Sequence, residues 1–168
     1  MFCRSKKLFK LLILNVVLWG FIHYFVSYIF LNLNNRLYFN GPLRLKTYTF
    51  EKKGTLWNTL FRVRKWKDKV PEGGRIFQGS YNKSELQDKS PAALKSFITE
   101  INRAEITHWM IIFSLPLIFT FNPRWTYIIH GSYALLSNIP FIIIQRYNRP
   151  RFERLYKRQL KNNNLKWG

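Results

Sequence analysis

The chain has 168 residues, with 28 lysines and arginines against 8 aspartates and glutamates, for a formal net charge of +20. That length suits one domain and leaves no room for two independent cores. Aromatic residues make up 18% of the chain, and the apolar residues gather into blocks. The charge therefore indicates a membrane protein facing anionic lipid and not a nucleic-acid binder, since zinc-ligand clusters and RNA-binding motifs are also missing. The single cysteine, Cys3, excludes an internal disulfide.

An almost unbroken apolar run occupies residues 8–31 and follows a basic N-terminal flank. As a helix it would extend about 36 Å at ~1.5 Å per residue, enough to cross a bilayer with some tilt. A cleaved signal peptide shows the same order of a basic start and an apolar run. The length of the run and the absence of a small-residue cleavage site before Asn32 favour an uncleaved transmembrane anchor.

Residues 32–105 form a polar, basic region in which we predict helices lying at the membrane surface. Residues 56–66 are predicted to be one amphipathic helix, because their apolar side chains fall on one stripe and the basic ones on the other side. The segment 71–74 is expected to stop it. A second helix is predicted to begin at Ser90, as N-cap, with Pro91 at the first helical position.

Two more apolar stretches, residues 109–121 and 125–144, are joined by a short polar turn and predict a helical hairpin. The first arm is short and contains Pro116, so it either begins nearer Ile101 or does not cross the bilayer fully. The predicted fold is one all-α domain, integral to the cell membrane. It comprises an N-terminal transmembrane helix (8–31), amphipathic interfacial helices (within 32–105), a C-terminal transmembrane hairpin (106–144) and a basic tail (145–168).

The orientation of these segments does not follow directly from the sequence. The N-terminal flank, the central region and the tail are all basic, and the positive-inside rule places all three in the cytoplasm. We favour a cytoplasmic central region and tail, joined by the hairpin. The first helix then either carries the N-terminus outward or does not span the bilayer.

Glu105 and His108 stand three residues apart, where a charged segment gives way to an apolar one. On a helix this spacing puts both side chains on one face. A neutral imidazole can take a proton from an alcohol while a carboxylate orients it, so we predict His108 as a general base and Glu105 as its partner. The alternative is that His108 anchors the helix at the interface, with Glu105 paired to Arg103 or Lys95.

Metal-dependent chemistry is not expected, because the chain has only three histidines, His23, His108 and His130. A di-iron site requires more ligands, and no HExxH motif is present. The acyltransferase signature of a histidine followed by an aspartate at the fifth position is also missing. His23 and His130 lie within apolar runs and are predicted to be hydrogen-bonded inside the helix bundle. We predict no metal and no bound cofactor.

Two basic segments are candidates for substrate binding. Residues 145–151 carry three arginines whose planar forks suit phosphate, so they fit the phosphate-bearing arm of a CoA or carrier-protein thioester, a lipid headgroup, or a simple positive-inside signal. Residues 57 and 58 stand among basic residues and could line a donor or sugar pocket, or belong to a helix lying on anionic lipid. The predicted binding residues are Trp57, Asn58, Arg146, Asn148, Arg149 and Arg151.

Three segments together resemble one known family. Residues 50–67, residues 103–109 and the unusual run Gln-Arg-Tyr-Asn-Arg-Pro-Arg over residues 145–151 are similar to the glycosyl-4,4'-diaponeurosporenoate acyltransferase family of staphylococci and their relatives. The resemblance implies an enzyme that esterifies the C6 hydroxyl of the glucose on a C30 carotenoid glycosyl ester, the last step of a staphyloxanthin-type pathway. It also implies the partners: the lipid bilayer, the glycosylated carotenoid, a fatty-acyl thioester (acyl-CoA or acyl-carrier protein) as co-substrate, and other enzymes of the pathway.

On this interpretation the sugar hydroxyl, deprotonated by His108, attacks a thioester whose phosphate-bearing arm is held by Arg146, Arg149 and Arg151. Asn58 would donate a hydrogen bond to the developing oxyanion. Two alternatives remain. One is a non-catalytic membrane scaffold that binds anionic lipid or pathway enzymes, and the other is an acyltransferase that acts on another glycolipid.

Overall fold

The structure is a computed structural model that describes residues 2–70 and 90–166. Every regular element in these two ranges is helical, which confirms the all-α prediction for the described part of the chain. The α-helices are α1 (Phe2–Asn32), α2 (Asn35–Phe39), α3 (Thr55–Phe61), α4 (Pro91–Phe113), α5 (Leu115–Thr120) and α6 (Tyr127–Lys166). Short 3₁₀ segments lie at Thr49–Gly54, Val63–Lys65, Lys67–Lys69 and Arg124–Thr126.

Two of the described helical segments, Lys6–Asn32 and Arg124–Asn162, are long and apolar enough to cross a membrane. The first confirms the predicted apolar N-terminal helix. Most of its large apolar side chains are exposed, among them Phe9 and Val16. Such a surface is unfavourable in water and is readily solvated by lipid tails.

α1 packs on the hairpin through one stripe of side chains. Asn15 and Asn122 exchange two amide hydrogen bonds, of 2.9 and 2.8 Å. One and two turns further along α1, Trp19 and His23 follow Asn15 on the same face. The apolar cluster at this interface consists of Trp19, Ile22, Ile111, Ile118 and Ala134. Polar pairs within an apolar interface specify how the helices meet.

The helix predicted over residues 56–66 is shorter than expected. α3 ends where Arg62 adopts a left-handed backbone with φ of 50°. Asn58 supports this break, because its carbonyl accepts the Arg62 N–H at 2.9 Å and its side-chain Oδ1 accepts the Arg64 N–H at 3.1 Å. An apolar stripe predicts a helix but gives no sign of an internal cap of this kind. The predicted stop at 71–74 lies outside the described residues.

α4 begins where the sequence places it. Ser90 Oγ accepts the backbone N–H of Ala93 at 3.2 Å, and Pro91 occupies the first turn. α4 and α6 form the largest interface between described elements, with α5 and a turn joining them. The predicted helical hairpin is therefore present, with a first arm that reaches back to Pro91, but of its two described arms only the second, Arg124–Asn162, is a candidate membrane span. The first arm breaks at Ser114, since Pro116 has no N–H to continue the helical hydrogen bonds.

α6 continues without interruption through two internal prolines. The basic segment predicted as a separate tail is therefore an extension of the second arm of the hairpin. Gly54 lies against α6 near Pro150, and its backbone is left-handed with φ of +88°. A Cβ placed on Gly54 would lie 2.9 Å from Pro150 Cγ and 2.9 Å from the carbonyl oxygen of Tyr147. Only glycine fits this contact, which seats the segment before α3 against α6.

The substitution Gly54→Ala is expected to destabilise the protein by roughly 1–3 kcal/mol, because alanine must adopt a left-handed φ and its Cβ must displace α6. Gly131→Ala, on α6 itself, is the matched control, since nothing lies within 4 Å of an added Cβ there. It should be neutral or stabilise by up to about 1 kcal/mol. Thermal unfolding in detergent, followed by circular dichroism, measures both. Equal midpoints for the two variants would contradict the proposed contact.

Candidate active site

A buried ion-pair network of Glu51, Glu105, Arg146 and Arg149 joins three parts of the chain. Glu105 on α4 accepts from Arg146 Nε through Oε1, at 2.8 Å, and from Arg149 Nη2 through Oε2. Arg146 also donates from Nη1 to Glu51 Oε1 at 3.1 Å. Two carboxylates thus face two guanidinium groups, so the network carries no net charge. That balance is what allows ionised side chains to be buried.

Neutral groups extend the network toward α2. Asn102 Oδ1 accepts from Arg149 Nε at 2.8 Å, and Asn102 Nδ2 donates to the carbonyl of Tyr38 at 2.9 Å. The Tyr38 hydroxyl donates to the carbonyl of Phe30 at 2.6 Å. Burial raises the pKa of Tyr38 to about 12, which keeps this donor protonated at neutral pH. Arg149, only 1% exposed, is therefore held by two side chains of α4, Glu105 and Asn102, and Asn102 in turn binds α2.

Glu51 is a functional candidate that the sequence analysis did not select. It is fully buried, and it accepts the backbone N–H of Tyr48 at 2.8 Å and the indole N–H of Trp57 at 3.1 Å. The guanidinium of Arg146 lies over the Trp57 ring, 5.9 Å from its centroid. The signals in the sequence are an isolated carboxylate within a basic segment and its place in residues 50–67, one of the three segments similar to a known family.

His108 forms its hydrogen bond with Asn138 of α6. The His108 Nδ1 and Asn138 Oδ1 atoms lie 2.8 Å apart, and the imidazole stacks on Phe141 with ring centroids 4.6 Å apart. Asn138 Nδ2 donates to the carbonyl of Ala134 at 2.9 Å, which fixes the amide so that Oδ1 faces His108. His108 Nδ1 must then carry the hydrogen. Its Nε2 keeps a lone pair that can accept a proton.

The predicted hydrogen bond between Glu105 and His108 is not formed. Both Glu105 oxygens are taken by guanidinium groups, and charge-assisted bonds to arginine are stronger than a bond to a neutral imidazole. Asn138 occupies the orienting position that we predicted for Glu105. Residue spacing does not predict the pairing of Asn138 with His108, because the two residues are 30 positions apart on different helices. An asparagine within an apolar run is the only hint.

The alternative pairing of Glu105 with Arg103 or Lys95 is also not observed among the described residues. Arg103 pairs instead with Glu100, one turn earlier on α4. Burial raises the pKa of Glu100, and the neighbouring guanidinium of Arg103 opposes that shift. This second pair lies on the same helix as Glu105 and leaves the ion-pair network intact.

The six predicted binding residues do not form one phosphate cradle. Arg146 and Arg149 are engaged by carboxylates, and Trp57 lies with them. Arg151 is exposed and donates to the Tyr147 hydroxyl. Its Cζ lies over the Tyr147 ring, 4.9 Å from the ring centroid. Asn148 is half-buried. Asn58 uses its side-chain oxygen to hold the break after α3, which leaves its NH₂ group to donate.

An apolar groove of about 260 Å³ lies between α6 and the α3 region. It is lined by Phe61, Trp66, Leu135, Leu136, Ile139, Pro140 and Ile143. With 3.6 residues per helical turn, Leu136 and Pro140 stand on the side of α6 opposite Asn138. The groove and His108 are therefore on different faces of α6. The described residues contain no cluster of three or more histidine, cysteine or acidic side chains that could hold a metal ion.

Fold and site together define a small helical protein that has two candidate membrane-spanning helices and, beside its ion-pair network, a histidine oriented by an asparagine. The chain belongs to the glycosyl-4,4'-diaponeurosporenoate acyltransferase family, whose family model matches residues 35–158. A relative with that name from Staphylococcus haemolyticus (strain JCSC1435) is 33% identical over 155 residues, 92% of this chain and 90% of the relative. Another, from Staphylococcus aureus (strain USA300), is 40% identical over 112 residues, 67% of each chain. No solved structure matches the chain.

Glu105→Ala is expected to destabilise the protein by about 3–5 kcal/mol, because it leaves Arg149 buried without a charge partner. Glu153→Ala is the matched control, since Glu153 pairs at 3.6 Å with the exposed side chain of Arg44. That surface pair should contribute at most about 1 kcal/mol. Chemical unfolding in one detergent compares the two. A small, equal loss in both variants would show that the network does not stabilise the fold.

Proposed function

We propose that the chain is an O-acyltransferase that transfers a fatty acyl group to the sugar of glycosyl-4,4'-diaponeurosporenoate. The family match over residues 35–158 carries this proposal, because it includes the whole ion-pair network and both members of the His108–Asn138 pair. The acceptor is the C6 hydroxyl of the glucose, and the product is a staphyloxanthin-type pigment. The protein acts as an integral protein of the cell membrane, alongside the other enzymes of carotenoid synthesis, because a polyene substrate is confined to the bilayer.

His108 is the proposed base. Its Nε2 accepts the proton of the sugar hydroxyl while the hydroxyl oxygen forms a bond to the thioester carbonyl carbon. The carbon–sulfur bond then breaks, and the imidazolium returns the proton to the leaving thiolate. Asn138 supports this role, since its hydrogen bond with Nδ1 selects the tautomer of the neutral ring that has its lone pair on Nε2.

Glu105 is a positioning residue in this proposal and does not touch the reacting atoms. It binds two arginines of α6 and so fixes how α4 lies against α6. His108 follows one helical turn later, about 4.5 Å along the axis at ~1.5 Å per residue. The ion-pair network therefore keeps His108 opposite Asn138.

The acyl donor is a fatty-acyl thioester of CoA or acyl-carrier protein, and its phosphate groups are anionic. Arg146 and Arg149 are already neutralised by carboxylates. Arg151 is exposed and is therefore the proposed phosphate contact, with Asn148 beside it. The NH₂ group of Asn58 is a proposed donor to the oxyanion. These assignments depend on residue chemistry and exposure.

His108→Ala should reduce esterification by at least about 10²-fold, the usual contribution of a general base. Thr107→Val, which removes the neighbouring hydroxyl bonded to the Arg103 carbonyl at 2.9 Å, is the control and should keep activity. A host that carries the earlier pathway enzymes is extracted, and its pigments are analysed by mass spectrometry. Unacylated glycosyl carotenoid should accumulate with His108→Ala. Normal pigment would exclude His108 as the base, and no ester from the wild type would favour the scaffold alternative.

Arg151→Ala should raise the apparent KM for the acyl donor more than it lowers kcat, because a phosphate contact far from the reacting carbon contributes uniform binding. Arg154→Ala, an exposed arginine on the same helix, is the control and should leave the KM unchanged. Initial rates at varied donor concentration measure both parameters. Equal KM values for the two variants would remove Arg151 from donor binding.

A further inference from the structure

A second set of polar side chains lies between α1 and α6, apart from His108 and Asn138. This polar layer consists of Trp19 and His23 on α1 and His130 and Tyr133 on α6. The Trp19 ring centroid lies 6.0 Å from His23, 6.4 Å from His130 and 4.9 Å from Tyr133. Histidines inside helices apolar enough to span a membrane are costly and mark functional sites.

Two imidazole nitrogens of the polar layer are buried without a hydrogen-bond partner among the described residues. They are Nε2 of His23 and Nε2 of His130, and His130 as a whole is only 6% exposed. A buried polar atom without a partner is unfavourable, and a leucine at either position would avoid that cost. The two nitrogens therefore point to a ligand that completes their hydrogen bonds.

The hydrogen bond from Trp19 determines what His130 can bind. Trp19 Nε1–H donates to His130 Nδ1 at 3.3 Å, and an indole nitrogen can only donate. His130 Nδ1 is therefore an acceptor, the ring is neutral, and Nε2 carries the hydrogen. An N–H group binds an acceptor oxygen and cannot ligate a metal ion.

The surroundings of the polar layer favour an uncharged ligand. Phe25 and Ile129, on the two helices that form it, are exposed apolar side chains of the kind that face lipid. An ion between such helices would be strongly disfavoured. The rings of Trp19 and Tyr133 offer apolar faces against which a sugar or a polyene can pack.

We propose that the polar layer is a subsite that binds neutral oxygen atoms of a membrane glycolipid, with His130 Nε2–H donating to one of them. The proposal rests on the proposed function and locates the polar part of its acceptor, the ester carbonyl and sugar hydroxyls of the glycosyl carotenoid. His130 and Asn138 lie on the same face of α6, eight residues or about 12 Å apart along the axis at ~1.5 Å per residue, so a glycolipid held by the polar layer can extend to the proposed base. α1 then contributes to substrate binding as well as to membrane anchoring.

Binding of the glycosyl C30 carotenoid to the full-length protein in lipid nanodiscs, without acyl donor, tests the subsite. His130→Leu removes the donor and should weaken binding about tenfold, as expected for one hydrogen bond. His130→Gln can accept from Trp19 through its oxygen and donate from its nitrogen, so it should stay within about threefold of wild type. His23→Leu is a second variant, should His130→Leu fail to fold, and it should also weaken binding.

Two controls separate hydrogen bonding from packing. Tyr127→Phe removes a half-buried hydroxyl elsewhere on α6, bonded to the Phe119 carbonyl at 3.1 Å, and should bind the glycoside like wild type. The C30 hydrocarbon polyene has no oxygen and should bind the wild type and the leucine variants alike. If both leucine variants bind the glycoside as tightly as the wild type does, the proposal is overturned. In that case water alone completes the hydrogen bonds of the two imidazoles. The proposal is also overturned if the leucine variants lose as much affinity for the hydrocarbon polyene as they lose for the glycoside.

Esterification is measured separately, so that the two proposals fail in different ways. A wild-type protein that binds the glycoside through His130 but forms no ester contradicts the proposed function and leaves the subsite standing. A wild-type protein that forms the ester, while both leucine variants bind the glycoside normally, contradicts the subsite alone.

Discussion

The Glu105 carboxylate, bound to Arg146 and Arg149 at once, is the interaction on which the rest of the structure depends. Each of its oxygens takes one guanidinium, and the three groups are largely removed from water. Burying ions costs several kcal/mol each unless they are paired, so α4 and α6 are held in the one register that pairs them. That register decides which residues meet further along the hairpin, and His108 meets Asn138 as a result.

Charged and neutral polar groups occupy different parts of the helical core. The ionised side chains gather at the basic end of the hairpin, where Glu51 adds the carboxylate that balances the second arginine. Toward the N-terminal end of α6 and its contact with α1, the polar groups are neutral: Asn138 and His130 on α6, and the amide pair of Asn15 on α1 with Asn122 in the turn before α6. A low-dielectric region tolerates a hydrogen-bonded amide or imidazole far better than an ion. The orientation of His108 by an amide follows the same rule.

The sequence predicts those features that depend on one helix at a time. Apolar runs predict α1 and the hairpin, and Ser90 followed by Pro91 predicts the start of α4. The partners of Glu105 and His108 depend instead on how two helices lie against each other, which periodicity does not report. The apolar stripe over residues 56–66 does not predict the break at Arg62 either, because that break depends on a cap formed by the Asn58 side chain.

A double-mutant cycle between Glu105 and Arg149 tests most directly whether this ion pair fixes the register. The free energy of unfolding in one detergent is measured for wild type, for Glu105→Ala, for Arg149→Ala and for the double variant. The account predicts a coupling energy of roughly 2–3 kcal/mol, with a double variant no less stable than the worse single one, because the second substitution removes a charge already left unpaired. Additive losses in the double variant would contradict it.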